Sequence, residues 1–174
     1  ELFEETGDRR FASAPCIIRP WTGEADVVAA HLRENELRDG LSFFDRSRAV
    51  WQFREFHFGD DRRVYSQRAL AKALVERGFV VSQAMVSLMA YTIERLAPVA
   101  PSALEGGMGS FQIRRIRALD KAVRTYWLRR TAGDERSYDE VFEALCRRFD
   151  APDWEGTGLR RALEAEIAER CEVS

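Results

Sequence analysis

Apolar residues recur along most of the chain at the spacing of one helical face, which predicts a mainly α-helical protein. The amphipathic segments are residues 24–38, 43–56, 66–77, 82–96, 111–128, 138–149 and 157–171. The serines expected to cap these helices are Ser42, Ser66, Ser82, Ser110 and Ser137. One apolar run between prolines, residues 15–20, predicts a short buried strand near the N-terminus.

Two short segments on either side of Gly78 have the spacing of a pair of packed helices. Their inward positions are Ala69, Leu70, Ala73 and Leu74 in the first and Val86, Met89 and Ile93 in the second. Residues 79–81 are expected to form an apolar turn that packs between them, and Gly78 a left-handed stop. This pattern is typical of a DNA-binding helix-turn-helix, whose second helix enters the major groove. An ordinary αα-hairpin would show the same spacing, so both interpretations remain open.

The outward face of the second helix is expected to carry Gln83, Ala84, Ser87 and Leu88. Glutamine and serine can form hydrogen bonds with base edges. Alanine and leucine can contact thymine methyl groups but offer no paired hydrogen bonds. The sequence therefore favours DNA binding more strongly than it favours recognition of a specific site.

The net charge of −2 hides an uneven distribution. Residues 111–132 hold seven basic residues and one acidic residue, whereas residues 133–174 hold six basic and twelve acidic residues. A basic helix beside the helix pair could neutralise DNA phosphates, or it could simply be a solvated helix face. The candidate DNA contacts are Arg62, Arg63, Ser66, Gln67, Arg68, Lys72, Ser82, Gln83, Ala84, Ser87, Arg114 and Arg115.

Residue types that suit catalysis or metal binding are sparse. The three cysteines are widely spaced, without a CxxC pair, and with only two histidines a zinc site is not expected. No serine or cysteine nucleophile has a histidine partner by motif, so no catalytic residue is predicted. The cysteine usage suits reduced thiols in a cytoplasmic protein, and no apolar run approaches the length of a membrane span.

Three motifs precede the helix pair in a fixed order: GDRRF at 7–11, ENELR at 34–38 and LSFFD at 41–45. In this order and at these intervals they resemble the ParB family, the centromere-binding proteins of bacterial plasmid and chromosome segregation. The similarity is greatest to the divergent ParB-like proteins of integrative conjugative elements, and it covers roughly residues 1–130.

The resemblance implies a nucleotide site that binds CTP and Mg²⁺ in the full-length protein. Gly7, Arg9 and Arg10 would contact the triphosphate, Glu34 and Asn35 would reach the metal ion, and Arg38 would hold the motif or a phosphate. The family's first nucleotide-binding segment is not found in these 174 residues, so this chain is expected to bind CTP weakly or not at all. Arg9 and Arg10 could equally be an exposed pair, and Glu34 and Arg38 an i,i+4 ion pair.

The resulting hypothesis divides the chain into three parts. Residues 1–58 would be the end of a ParB-like nucleotide-binding domain, 59–132 a DNA-binding domain and 133–174 an acidic helical tail. The protein would bind double-stranded DNA as a homodimer, associate with the nucleoid, work with a ParA-like ATPase and serve the segregation or maintenance of a mobile element. The alternatives are a CTP-dependent switch with slow CTPase activity in the full-length protein, or a helical protein-interaction module that has lost specific DNA recognition.

Overall fold

The computed structural model describes residues 2–13, 16, 18, 20–37, 40–59, 65–131, 134–154 and 156–171. This part of the chain is mainly helical, as the apolar pattern predicts. Its helices are α1 (Leu2–Thr6), a 3₁₀ turn (Arg9–Phe11), α2 (Glu24–Leu37), α3 (Phe43–Phe58), α4 (Gln67–Glu76), α5 (Gln83–Tyr91), a π-helical turn (Thr92–Leu96), α6 (Pro101–Glu105), α7 (Ser110–Arg130), α8 (Glu135–Arg148) and α9 (Thr157–Cys171).

Helices α2 to α5 pack around the first of two apolar cores. Its buried side chains include Val28, Leu32, Val50, Phe53, Leu70, Leu74, Phe79, Val86 and Met89. All but Phe79, which lies in the turn between α4 and α5, come from the apolar faces of four helices, and each helix buries its apolar face against the others. The predicted helices α2 and α3 therefore pack directly against the α4–α5 pair.

The second core is built mainly by the helices that follow α5. Its largest fully buried side chains are Leu96, Leu104, Ile113, Trp127, Tyr138 and Phe142. Helix α8, from the acidic C-terminal part, supplies Tyr138 and Phe142, so that part packs on the rest of the protein. The predicted boundaries at 58–59 and 132–133 stay predictions.

Helix α5 joins the two cores, and this corrects the expected orientation of one residue. Val86 and Met89 belong to the first core, whereas Leu88 belongs to the second and is 3% exposed. The prediction that Leu88 faces outward is wrong, because helical periodicity cannot show that α7 packs on this side of α5. The turn is corrected too: Phe79 and Val81 are buried, but Val80 is 79% exposed, since successive residues of an extended segment alternate sides.

Three of the five predicted serine caps are confirmed. Ser42, Ser66 and Ser82 each accept a hydrogen bond from the backbone N–H three residues later. Ser110 is not a cap, because Gln112 Oε1 accepts from the N–H of Gly109 and the helix begins one residue earlier.

Ser137 is also not a cap. The carboxylate of Asp134 accepts from the Ser137 N–H at 3.0 Å, and α8 therefore begins at Glu135. A charged acceptor makes the stronger cap.

The predicted strand over residues 15–20 is absent from its described residues. Cys16, Ile18 and Pro20 are exposed, Ile18 to 94%, and none lies in a strand. A strand needs a partner for its backbone hydrogen bonds, and the described part of the chain offers none. Residues 15, 17 and 19 lie outside the described residues.

Candidate nucleic-acid interface

Helices α4 and α5 form a compact pair joined by a tight turn. Ser66 Oγ accepts from the Ala69 N–H and Ser82 Oγ from the Met85 N–H, both at 3.1 Å, which fixes where each helix begins. Between them Gly78 has φ +83°, the left-handed conformation that glycine adopts most readily. The N–H of Phe79 then donates to the carbonyl of Leu74 at 3.0 Å. These bonds hold the first turn of α5 at a defined position on the protein surface.

The first turn of α5 is open to solvent. Gln83 and Ala84 are exposed, and Ser87 is half-buried. Leu88, one residue further, packs in the second core instead. The exposed polar side chain at the start of α5 is thus Gln83, beside the small side chain of Ala84.

A cleft separates this face of α5 from α7, and we call it the basic cleft. It encloses about 410 Å³ and is lined by Ala84, Leu88, Arg114, Arg117, Ala118 and Lys121. Leu88 therefore forms part of its apolar floor. Three of the six lining residues are cations and none is an acid, so the cleft suits an anionic group.

Arg117 connects the two walls of the basic cleft. Its Nη2 donates to Ser87 Oγ at 2.9 Å, and its guanidinium carbon lies 5.6 Å from the centre of the Tyr91 ring. Both contacts reach across from α7 to α5. They hold this guanidinium in place, whereas Arg114 and Lys121 form no ion pair with any residue of the described chain.

The Tyr91 ring that Arg117 contacts is itself held by a buried carboxylate, that of Asp120. The hydroxyl of Tyr91 donates to Asp120 Oδ2 at 2.8 Å and that of Tyr138 to Oδ1 at 2.7 Å. Asp120 is 6% exposed, and Arg95 Nε lies 3.7 Å from its Oδ2. Burial, together with the Asp120 charge, raises the pKa of both tyrosines far above the usual range, so both remain hydrogen-bond donors.

The π-helical turn brings Arg95 close to the carboxylate of Asp120. The N–H of Ala97 donates to the carbonyl of Thr92, five residues earlier, at 2.8 Å. Burial lowers the pKa of Arg95, but the negative charges of Asp120 and Asp139 have the larger effect. The pKa of Arg95 therefore lies above its usual value. Sequence reasoning missed this network, although Asp120 is visibly the one acidic residue in the basic stretch 111–132.

The acidic residues of α8 neutralise arginines of the preceding helices. Asp139 Oδ1 accepts from Arg95 Nη2 at 2.7 Å, and Arg124 pairs with both Glu135 and Asp139. Arg124 is therefore engaged within the protein. Within the basic stretch of α7, Arg124 is thus paired with α8, whereas Arg114, Arg117 and Lys121 line the basic cleft.

The other predicted DNA contacts differ in their exposure and in their partners within the protein. Ser66 and Ser82 are helix caps, Gln67 is half-buried, and Arg68 is exposed. Lys72 Nζ lies 3.7 Å from Glu76 Oε1, which partly neutralises it.

Arg115 is exposed, but it lines a different cleft, beside α9, so the neighbouring Arg114 and Arg115 do not share a surface. Arg62 and Arg63 lie outside the described residues.

The predicted nucleotide-binding residues interact mainly within their own segments. Gly7 has φ +64°, and Asp8 caps the 3₁₀ turn. Arg10 Nη2 donates to Asp8 Oδ2 at 2.7 Å, and this bond lowers the pKa of that carboxyl below its usual range. Arg9 is exposed.

The second predicted motif lies near the end of α2. Asn35 Nδ2 donates to the carbonyl of His31, in the preceding turn, at 2.9 Å. Glu34 is exposed, and Arg38 lies outside the described residues. The described residues contain no group of three or more histidine, cysteine, aspartate or glutamate side chains able to hold a metal ion.

Comparison of the chain with protein-family models, curated proteins and solved structures finds no match. Among the described helices, none combines the length and the apolar character needed to cross a membrane.

Proposed function

We propose that this protein binds double-stranded DNA through α4 and α5, acting as a helix-turn-helix, with α7 supplying phosphate contacts. The observation that carries the proposal is the basic cleft, in which the open first turn of α5 lies beside three cations of α7. A recognition helix needs exposed N-terminal residues together with flanking positive charge, and this surface supplies both.

The first turn of α5 and the basic cleft beside it suggest a division of roles among their side chains. Gln83 is the candidate for hydrogen bonds with base edges, and Ala84 for contact with a thymine methyl. Arg114 and Lys121 are the candidates for phosphate contact, because neither is committed to an ion pair in the described chain. Arg117 is a positioning residue, since it already contacts Ser87 and Tyr91.

The order of the GDRRF, ENELR and LSFFD motifs before the helix pair extends the proposal to a ParB-like role. In that role the protein would serve the segregation or maintenance of a mobile element or plasmid, as a homodimer on the nucleoid with a ParA-like ATPase. Calorimetry with CTP and Mg²⁺ tests the nucleotide part. Weak or no binding is expected of this chain, and tight magnesium-dependent binding would favour the CTP-dependent switch instead.

The main test is fluorescence anisotropy with a random-sequence duplex of about two helical turns, repeated across a salt series. Binding that weakens steeply with salt is expected. The variant Arg114→Ala with Lys121→Ala should bind every duplex more weakly. The matched control is Arg136→Ala with Arg148→Ala, which removes the same charge from exposed positions of α8.

Two results would count against the proposal. One is the absence of binding at low salt, which would favour a helical protein-interaction module. The other is an equal loss of affinity in the two double variants, which would mean that net charge alone, rather than the basic cleft, governs binding.

A further inference from the structure

A second cleft lies between α7 and α9, and we call it the apolar cleft. It encloses about 390 Å³, within the range of small-molecule sites in proteins. Its apolar walls are Ile116, Leu119, Val123 and Trp154. Ile116 and Val123 are buried in the second core, so packing fixes this wall. These positions lie about half a turn of α7 away from Arg114 and Arg117, so the two clefts open on different sides of the helix, and they meet at Ala118, which lines both.

Trp154 gives the apolar cleft an unpaired hydrogen-bond donor. The residue is 9% exposed, and its indole Nε1–H has no hydrogen-bond partner among the described residues. A Cβ atom added at Gly156 would lie 3.4 Å from this nitrogen, so the Nε1 edge of the ring faces Gly156. Gly156 itself lines the apolar cleft. A buried donor without a partner is unfavourable, and an acceptor brought by a ligand past Gly156 would satisfy it.

The rim of the apolar cleft carries an excess of positive charge. Among the described residues that line it, Arg115 and Arg160 are the cations and Glu164 is the one carboxylate. Arg160 Nε donates to Glu164 Oε1 at 2.8 Å, so these two largely cancel. Arg115 forms no ion pair with a described residue and only lies 5.8 Å from the centre of the exposed Phe111 ring. One guanidinium therefore remains available for a ligand anion.

We infer that the apolar cleft binds a small apolar molecule bearing one carboxylate. The apolar part would lie against Ile116, Leu119 and Val123, where it is removed from water. The carboxylate would pair with Arg115, whose planar guanidinium matches two carboxylate oxygens. The inference does not depend on DNA binding, because the residues of α7 that it invokes line the apolar cleft and not the basic cleft.

The experiment compares two probes of similar shape, 1-naphthylacetate and the neutral 2-(1-naphthyl)ethanol, by calorimetry on the whole chain. We expect the carboxylate to bind about tenfold more tightly than the alcohol. The reason is that only the carboxylate can form a charge-assisted hydrogen-bonded pair with Arg115. Arg115→Gln should remove this preference while leaving binding of the alcohol unchanged. Arg161→Gln is the matched control, since this exposed arginine of α9 does not line the cleft.

A second measurement locates the bound probe. The chain has four tryptophans, and their indole N–H groups give separate peaks in a ¹H–¹⁵N correlation spectrum, in which Trp154→Phe identifies one. The carboxylate probe should shift the Trp154 peak and leave that of the 73% exposed Trp21 in place.

Three outcomes would overturn the inference. They are no binding of either probe at millimolar concentration, equal loss of the preference in Arg115→Gln and Arg161→Gln, and binding that leaves the Trp154 peak unmoved.

Discussion

The two sides of α7 share a spacing but differ in chemistry. The basic cleft is lined by the cations Arg114, Arg117 and Lys121, at i, i+3 and i+7. The apolar cleft is lined by Ile116, Leu119 and Val123, which also stand at i, i+3 and i+7. One helix therefore presents a charged stripe and an apolar stripe to two different partners within the protein, α5 and α9.

This difference shows why the charge count of a segment does not describe a surface. Residues 111–132 hold seven basic residues, yet only three of them line the basic cleft. Arg115 lines the apolar cleft, and Arg124 pairs with acidic residues of α8. Because Arg117 is already held by Ser87 and Tyr91, the number of phosphate contacts expected from the basic cleft is closer to two than to seven.

The largest effect is expected from Asp120→Asn, which would disturb the contacts of α7 with Tyr91 of α5 and Tyr138 of α8. The substitution leaves one oxygen where two tyrosine hydroxyls now donate, and it removes the charge facing the half-buried Arg95. Breaking a buried charged network by removing one partner costs about 3 kcal/mol or more. For a chain of this size that corresponds to a fall in Tm of roughly 6–12 °C by calorimetry or circular dichroism.

The matched control for this prediction is Asp153→Asn, which makes the same chemical change at an exposed residue. Its Tm should stay close to that of the unchanged protein. Equal Tm values for the two variants would mean that Asp120 contributes little to stability, and the account of the network would be wrong.

The next largest effect separates the two sides of α7 from each other. Arg114→Ala with Lys121→Ala should reduce the salt dependence of DNA binding by about two phosphate contacts and weaken binding on every sequence. Arg115→Gln should reduce it less than Arg114→Gln does, because Arg115 lines the apolar cleft. Fluorescence anisotropy across a salt series measures the affinity and the salt dependence of DNA binding for each variant. A loss for Arg115→Gln as large as for Arg114→Gln would show that DNA contacts both sides of the helix.

The helix ends show which features of the fold can be predicted from the sequence. The caps Ser42, Ser66 and Ser82 and the stop at Gly78 are local features, and the structure confirms them. Ser110 is a more difficult case, because two adjacent residues can each begin the helix and the side chain of Gln112 decides between them. Local chemistry therefore predicts the elements well and their first residues less well.

The parts that sequence reasoning missed depend on packing between distant segments. Leu88 has the periodicity of an outward residue, but α7 covers it. Asp120 is conspicuous as a single acid in a basic stretch, yet its partners Tyr91, Arg95 and Tyr138 come from segments up to 29 residues away. Neither pairing follows from helical spacing, since spacing gives the faces of a helix but not its neighbours.

A smaller effect distinguishes the roles of Ser87 and Gln83. Ser87 accepts a hydrogen bond from Arg117, so Ser87→Ala should weaken binding by a similar, few-fold factor on all duplexes, through a less ordered Arg117. Gln83 has no such partner among the described residues and is exposed, so Gln83→Ala should instead reduce differences between sequences. Anisotropy on a panel of duplexes compares the two. Loss of sequence preference in Ser87→Ala would assign a base contact to Ser87 itself.

The smallest effect is expected from Lys72→Ala. Lys72 Nζ lies 3.7 Å from Glu76 Oε1 on the exposed face of α4. Lys121, in contrast, has no ion-pair partner in the described chain. The exposed i,i+4 pair contributes only about 0.3–0.5 kcal/mol to stability, so Tm should hardly change. The carboxylate beside Lys72 also opposes a phosphate at the same place, so Lys72→Ala should lower the salt dependence of DNA binding less than Lys121→Ala does. Equal reductions would mean that DNA displaces Glu76 from Lys72 and extends over α4, which would enlarge the proposed interface beyond the basic cleft.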